Sequence, residues 1–465
     1  MRKNFLCFLL FALLFASNSC GDKDAFSTDT HLRLSFSIDT LRFDTVFTTL
    51  GSATKDFRIY NDNNKALNVE TIELVNAEKS GFRINVDGET GTNYQNLSIP
   101  KNDSLFAFVE VTVDPKNDKP LHIYDSIRFV TNGNEQYVYL EAIGKDVYIL
   151  KGHRITQNVT LPNDKPYLIY DSLVVDKDVR LTLGENTTFY FHNKASFKIY
   201  GSVSFLGSAE QPVVFRGDRL DYINKYVPYD NLSGQWGGLY IGADSYDNIF
   251  ENTYIRNSET GIVFHPSGTD QKKATLKNTI IQNTTKDAFV ASNCDIEASN
   301  CLFANSGGAT LSLKGGKYRF QHCTIANYYR LATRRSSAVV LANSADAESG
   351  NLSCEFSNSI VYGSHTNEIL LIEDDNKLNC KFNACLLKGN ERSDSRFSGI
   401  IWNQDPMFMK GDYISYSYDF RLSELSPARD VADRTFSVGF PCDIAGNSRF
   451  EDNNPDLGCY EWAQE

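Results

Sequence analysis

The chain has 465 residues, with 46 Lys and Arg against 58 Asp and Glu and a formal net charge of −12. That balance leaves no basic stripe for nucleic acid, so no nucleic-acid partner is expected. The ten cysteines lack finger spacing and no HExxH is present, so no metal site is expected either.

In chain order, Met1-Arg2-Lys3-Asn4 is a short basic start, and Phe5 to Ala16 is an apolar run. It is too short to span a bilayer and has the length of a secretory signal core, so residues 1–19 are expected to be a signal peptide. Ser17-Asn18-Ser19-Cys20-Gly21 resembles a bacterial lipobox, with Ser17 where Leu is usual. The resemblance implies lipid attachment at Cys20, a tether over residues 20–30, and a membrane partner reached through acyl chains. The alternative is an ordinary secretory signal cut nearby. The expected location is the cell envelope, as an outer-membrane-anchored lipoprotein. Asp22-Lys23-Asp24 leaves the periplasmic face and the cell surface both open.

Residues 31–147 carry strand-like alternation, as in Leu34/Phe36/Ile38, Leu67/Val69/Ile72, Phe82/Ile84/Val86 and Phe106/Phe108/Val109/Val111, broken by Gly, Asn and Asp clusters. About seven short strands without a helix signal read as an immunoglobulin-like β-sandwich. No Cys lies between Cys20 and Cys294, so the sandwich lacks the usual disulfide.

Residues 148–465 read as a parallel β-helix. Early coils such as Val179/Leu181/Leu183 and Phe189/Phe191 lead to an aromatic loop with Tyr222, Tyr226 and Tyr229. Gly234-Gln235-Trp236-Gly237-Gly238 follows, with Trp236 expected to cover a coil edge. A nine-residue word then recurs six times, starting at Phe250, Leu276, Ala298, Phe320, Phe356 and Phe382. Its third column is Asn252, Asn278, Asn300, His322, Asn358 and Ala384, in steps of 26, 22, 22, 36 and 26 residues. Its fourth column is small (Thr253, Thr279, Cys301, Cys323, Ser359, Cys385) and its sixth large (Ile255, Ile281, Phe303, Ile325, Val361, Leu387). A short β-type word at such a period is a solenoid signature. Each word is expected to be a strand with a bend at its start. Columns four and six would face a narrow core, and Asn252, Asn278, Asn300, His322 and Asn358 would form a structural ladder. The long step predicts an insertion after Tyr328.

Asp405-Pro406-Met407-Phe408, Ser426-Pro427-Ala428-Arg429-Asp430, Asp443-Ile444-Ala445-Gly446-Asn447-Ser448-Arg449 and Asp456-Leu457-Gly458-Cys459-Tyr460-Glu461 close the chain. In this order they resemble the closing segment of bacterial right-handed parallel β-helix (pectate-lyase-like) proteins. Val431-Ala432 stands where a Gly is usual and Cys459 where Ala is usual. The resemblance covers about residues 150–465 and implies the fold, whereas activities on this fold range from lyases and hydrolases to adhesins. Residues 405–465 are expected to cap the last coil and hide its edge. Cys442 and Cys459 flank the last two motifs and are the expected disulfide.

Candidate ligand-binding residues are Tyr328, Tyr329, Arg330, Arg334 and Arg335 in the insertion, and the acids Asp374 and Asp375 after Glu373. Arginines among aromatics suit an anionic glycan, while a solvated charged loop and an acidic turn are the plainer readings. A lyase needs a base plus Arg or Ca²⁺ to neutralise a uronate, and a hydrolase needs converging carboxylates. Offsets from the Asn column put the two clusters on different sides of the coil. The expectation is therefore a non-catalytic, glycan-binding or surface-component-binding envelope lipoprotein without a cofactor. The alternative is a polysaccharide lyase or glycoside hydrolase acting on an acidic polysaccharide, and Ca²⁺ enters only there.

Overall fold

The third column of the repeat sits at a corner that only a left-handed backbone can turn. φ is 45° at Asn252, 51° at Asn278, Asn300 and His322, 49° at Asn358 and 48° at Ala384. Asn adopts this region at lower cost than most residues because its short polar side chain bonds locally, which explains the column. The bend therefore falls inside the word, not at its start. In the first copy, Asn248–Glu251 ends before the corner and Thr253–Arg256 begins after it.

The computed structural model describes residues 26–48, 50–114, 121–343, 351–373, 378–409, 411–451 and 454–464. The signal segment, Cys20, Asp374 and Asp375 lie outside the described residues. The chain divides between Asp146 and Val147 into two compact units.

The first unit is two five-stranded sheets. Nearly every pair is antiparallel, and Thr40–Phe47 beside Asn134–Lys145 is parallel. Alternation places Phe57, Ile59, Val109, Val111, Ile127, Phe129, Val138 and Leu140 in the core between the sheets. On the same strand as Val109 and Val111, Phe106 and Phe108 face outward and stack on each other at 5.9 Å.

The second unit winds one continuous parallel sheet of 26 strands into three faces. Face A includes Phe289–Ser292, Leu311–Lys314, Val339–Ala342 and Ile369–Ile372. Face B includes Asp295–Ser299, Gly316–Gln321, Leu352–Ser357 and the first half of Asn379–Leu387. Face C includes Ile280–Thr284, Leu302–Ser306, Thr324–Asn327 and Ile360–Gly363. Strand register pairs Ile255 with Ile281, Ile281 with Phe303, Phe303 with Ile325, Ile325 with Val361 and Val361 with Leu387. The sixth column is thus one apolar shaft, and every member is fully buried. Burying each such side chain contributes about 1.5–3 kcal/mol relative to exposure. Trp236 is not an edge cover. It lies inside this core, stacked on Phe191 at 4.2 Å. Gly238 lets the next coil come close, since a Cβ there would meet the Thr260 carbonyl at 1.9 Å.

Two further expectations are corrected. The third-column side chains do not form a continuous ladder, because most of their partners lie on other segments. Asn252 donates to the Gly207 carbonyl and Asn300 to the Cys442 carbonyl, while Asn358 meets His322 at 3.1 Å. Nor do the described residues of the 405–465 tail close the coil end. They run along the outside of face C, where Leu302, Ala304, Ala326, Ile360 and Leu386 pack against Phe420, Leu422, Ile444, Leu457 and Cys459.

Candidate functional site

The insertion after Asn327 was the leading candidate, and its residues do different jobs. Tyr328 is half-buried, stacks on Tyr418 and Phe420 at 6.3 Å, and accepts the Tyr418 hydroxyl at its carbonyl. Tyr329 is buried, with its hydroxyl 3.0 Å from that of Ser233. Both rings therefore glue the insertion to its neighbours. Arg330 is exposed and lies over the Tyr413 ring at 4.9 Å, and Arg335 is exposed.

Arg334 is not available to a ligand. Its side chain is 2% exposed and ion-paired with the fully buried Glu368. It also donates to the Asn327 carbonyl at 3.1 Å, while the Glu368 carboxylate accepts the backbone N–H groups of Ala338 and His365. The pair ties the insertion to the next coil. Gly363 makes room for it: a Cβ there would lie 2.2 Å from Glu368 Oε1. Sequence reasoning missed Glu368 because nothing local distinguishes it. The signal available was Gly363 replacing Asn in the eighth column.

Of the acidic run, Glu373 is the described member. It pairs with Arg396, which also binds Asp394. Among the described residues, the arginines of the insertion and this acid are not brought together. Cys442 and Cys459 are not bonded either: Cys442 is exposed, Cys459 is buried, and the eight described cysteines are all free thiols. Stacked in the core, Cys301, Cys323 and Cys385 act as small apolar fillers. Burial raises the Cys323 and Cys385 thiols above their ordinary value, Cys385 to about 12, which keeps them protonated.

The polar residues of the closing motifs are also consumed structurally. Arg449 is fully buried against Glu461 and donates to Asn300 Oδ1 at 2.9 Å. Asp443 accepts the Glu461 N–H, and Asp456 accepts the N–H groups of Asp430 and Trp462. His322 lies among Asn358, Ser437 and the tail, and burial first, then Arg449, holds its imidazole well below the ordinary value. The aromatic loop before Trp236 covers the earlier part of face C in the same way. Asp230 sits between Arg216 at 3.0 Å and Arg256 at 3.2 Å, and Asn231 donates to the Ser415 carbonyl of the tail.

With face C covered, face B presents a charged outward surface. A shallow groove of about 450 Å³ runs across four consecutive coils there. Register stacks Glu297, Arg319, Glu355 and Lys381 in one outward column, and Asp295, Lys317, Ser353 and Asn379 in the next. Lys272 bridges Asp295 at 2.8 Å and Glu297 at 3.0 Å, and Arg319 also reaches Glu297. Glu355 accepts from Asn383. Among the described residues, no carboxylate pairs with Lys317 or Lys381, and no cluster of His, Cys, Asp and Glu is arranged to hold a metal ion. The groove offers charged hydrogen-bonding groups repeating at the strand spacing of about 4.8 Å.

No family model matches the chain, and no curated protein matches it. Three of the solved structures it resembles are distant likenesses. A family 123 glycoside hydrolase from Clostridium perfringens shares 11% identity over 25% of this chain, with a TM-score of 0.17, and the chain spans 26% of that enzyme. The periplasmic chaperone SfaE shares 6% over 24% of this chain and 57% of its own, at 0.18. The catalytic unit of a GH87 α-1,3-glucanase from Streptomyces thermodiastaticus strain HF3-3 shares 10% over 75% of this chain and 89% of its own, at 0.19. At such scores these likenesses carry no argument about activity, and the all-β, sandwich-then-parallel-coil architecture rests on the strand pairings themselves.

Proposed function

We propose that the protein is a lipid-anchored envelope protein, akin to the bacterial right-handed β-helix lipoproteins, that holds an acidic polysaccharide along face B without cleaving it. The observation that carries this reading is the groove itself. It has two lysines, Lys317 and Lys381, that pair with no carboxylate among the described residues, beside Asp295 and Glu297 paired with Lys272 and Arg319, and Glu355 hydrogen-bonded to Asn383. A repeating anionic chain would gain charge-assisted hydrogen bonds to successive coils, each modest and summed by repetition. Catalysis would need a positioned base or a converging carboxylate pair, whereas here Asp295 and Glu297 are ion-paired and Glu355 is held by Asn383.

The test is to mix the purified chain with uronate-rich polysaccharides and read retention on a polysaccharide matrix, ultraviolet absorbance of unsaturated product, and new reducing ends. Retention without product is the expected result. Product formation would move the assignment to a lyase or hydrolase. No retention at low ionic strength would end it. Anchoring is tested separately: Cys20→Ser should abolish acylation and release the protein from membranes.

A further inference from the structure

The first unit carries a shallow recess of about 370 Å³ on the outward side of the sheet that contains Phe82–Val86 and Asp103–Val111. Its size falls within the range of small-ligand clefts, about 300–1,000 Å³. The Phe108 ring, 40% exposed, lines it together with polar side chains. Register sets Asn85 across from Phe108 and Arg83 across from Glu110. Such cross-strand neighbours lie about 4.5–5.5 Å apart at Cβ, so these polar groups reach the edge of a ligand seated on the ring. Phe106, the next outward residue of the strand, stacks on Phe108 with the ring planes 16° apart. The Arg58 guanidinium lies over Phe106 at 4.4 Å, whereas among the described residues no cation lies over Phe108.

We infer that this recess binds a neutral pyranose of a glycan, stacked on Phe108 and hydrogen-bonded by Asn85, Arg83 and Glu110. The chemistry of the lining selects that class. The negative face of an aromatic ring attracts the weakly positive C–H face of a sugar. Sugar hydroxyls both donate and accept, and the recess answers both. Asn85 donates through Nδ2 to Thr90, and its Oδ1 has no partner among the described residues. Arg83 donates through Nη1 to Thr112 at 2.9 Å and through Nη2 to Glu110 at 3.5 Å, which uses two of the five N–H donors of a guanidinium. Arg83 and Glu110 also balance each other's charge, so the recess suits an uncharged ligand, unlike the groove on face B. A lipid chain would need a continuous apolar track, and Phe108 is instead flanked by Asp56 and Asn85 on the neighbouring strands.

The experiment is affinity electrophoresis of the full chain carrying Cys20→Ser through gels that contain a soluble β-glucan, a mannan or a galactan, with polygalacturonate as the acidic comparison. At least one neutral polysaccharide should retard the chain. Phe108→Ala should weaken that retardation about tenfold, and Asn85→Ala severalfold, while Phe108→Trp, which keeps a stacking face, should preserve it. Both positions face outward, so melting temperatures should stay within a few degrees of the parent. Migration in polygalacturonate should be the same for the parent and all three variants, whether or not face B binds it. Free migration through all three neutral gels overturns the inference. So does retardation that Phe108→Ala leaves intact, or that Phe108→Trp loses as completely as Phe108→Ala.

Discussion

Replacing Glu368 tests whether the insertion is scaffold or ligand site. The carboxylate is fully buried and takes three donors: the Arg334 guanidinium and the N–H groups of Ala338 and His365. Glu368→Leu leaves the arginine charged in a dry site, with the Asn327 carbonyl as its remaining partner, and orphans two backbone donors. Breaking one side of a buried pair costs about 3–5 kcal/mol. Arg334→Met should cost nearly as much, by stranding the carboxylate. The double variant should lose clearly less than the two single losses added together, with a coupling of about 2–3 kcal/mol. Urea unfolding followed by tryptophan fluorescence is well suited to the measurement. All three tryptophans, Trp236, Trp402 and Trp462, belong to the second unit, so the signal reports it alone. Additive losses, or single losses below about 1 kcal/mol, would refute the reasoning. They would return Arg334 to the pool of ligand-binding residues.

Three other outcomes follow from the same coordinates. Phe303→Ala, at a fully buried position 5.5 Å from Phe289 and 6.0 Å from Phe320, should cost about 3–5 kcal/mol in the same unfolding assay. Ala384→Gly should stabilise by about 1 kcal/mol, because alanine is held at φ 48° where glycine is unstrained. Buried Lys273, which donates to the Gly242 and Ala243 carbonyls, is lowered from 10.5 to about 8, chiefly by burial. The unfolded chain therefore holds more protons between pH 8 and 10.5, so stability should rise with pH across that window, by no more than about 3 kcal/mol, and the rise should vanish in Lys273→Met.

The coil was legible because its determinants are local. A left-handed corner selects Asn, and a narrow shaft selects small beside large at fixed offsets, so Asn252, Thr253 and Ile255 could be read by eye. The covering of face C was legible too, and was missed. The fifth column, Tyr254, Ile280, Leu302, Thr324, Ile360 and Leu386, points outward yet is largely apolar, which has no purpose on a solvated face. What could not be read was pairing between distant segments. Arg334 finds Glu368, and Arg449 finds Glu461 and Asn300, through tertiary packing that leaves no periodic trace. A run such as Tyr328–Arg335 therefore looks like a ligand site in sequence when Tyr328, Tyr329 and Arg334 are spent on holding the insertion down. The groove on face B was overlooked for the opposite reason. Its residues, among them Lys317, Arg319 and Lys381, form no cluster along the chain and meet only when the coils stack.

Lysine footprinting in the presence of a uronate-rich polysaccharide addresses the central claim most directly. Acetylation of Lys317 and Lys381 should slow severalfold at saturation, while Lys286, paired with Glu259 away from face B, should react as before and the polysaccharide should be recovered uncut. Equal reactivity of Lys317 and Lys381 with and without the polysaccharide, or its cleavage, would contradict the account.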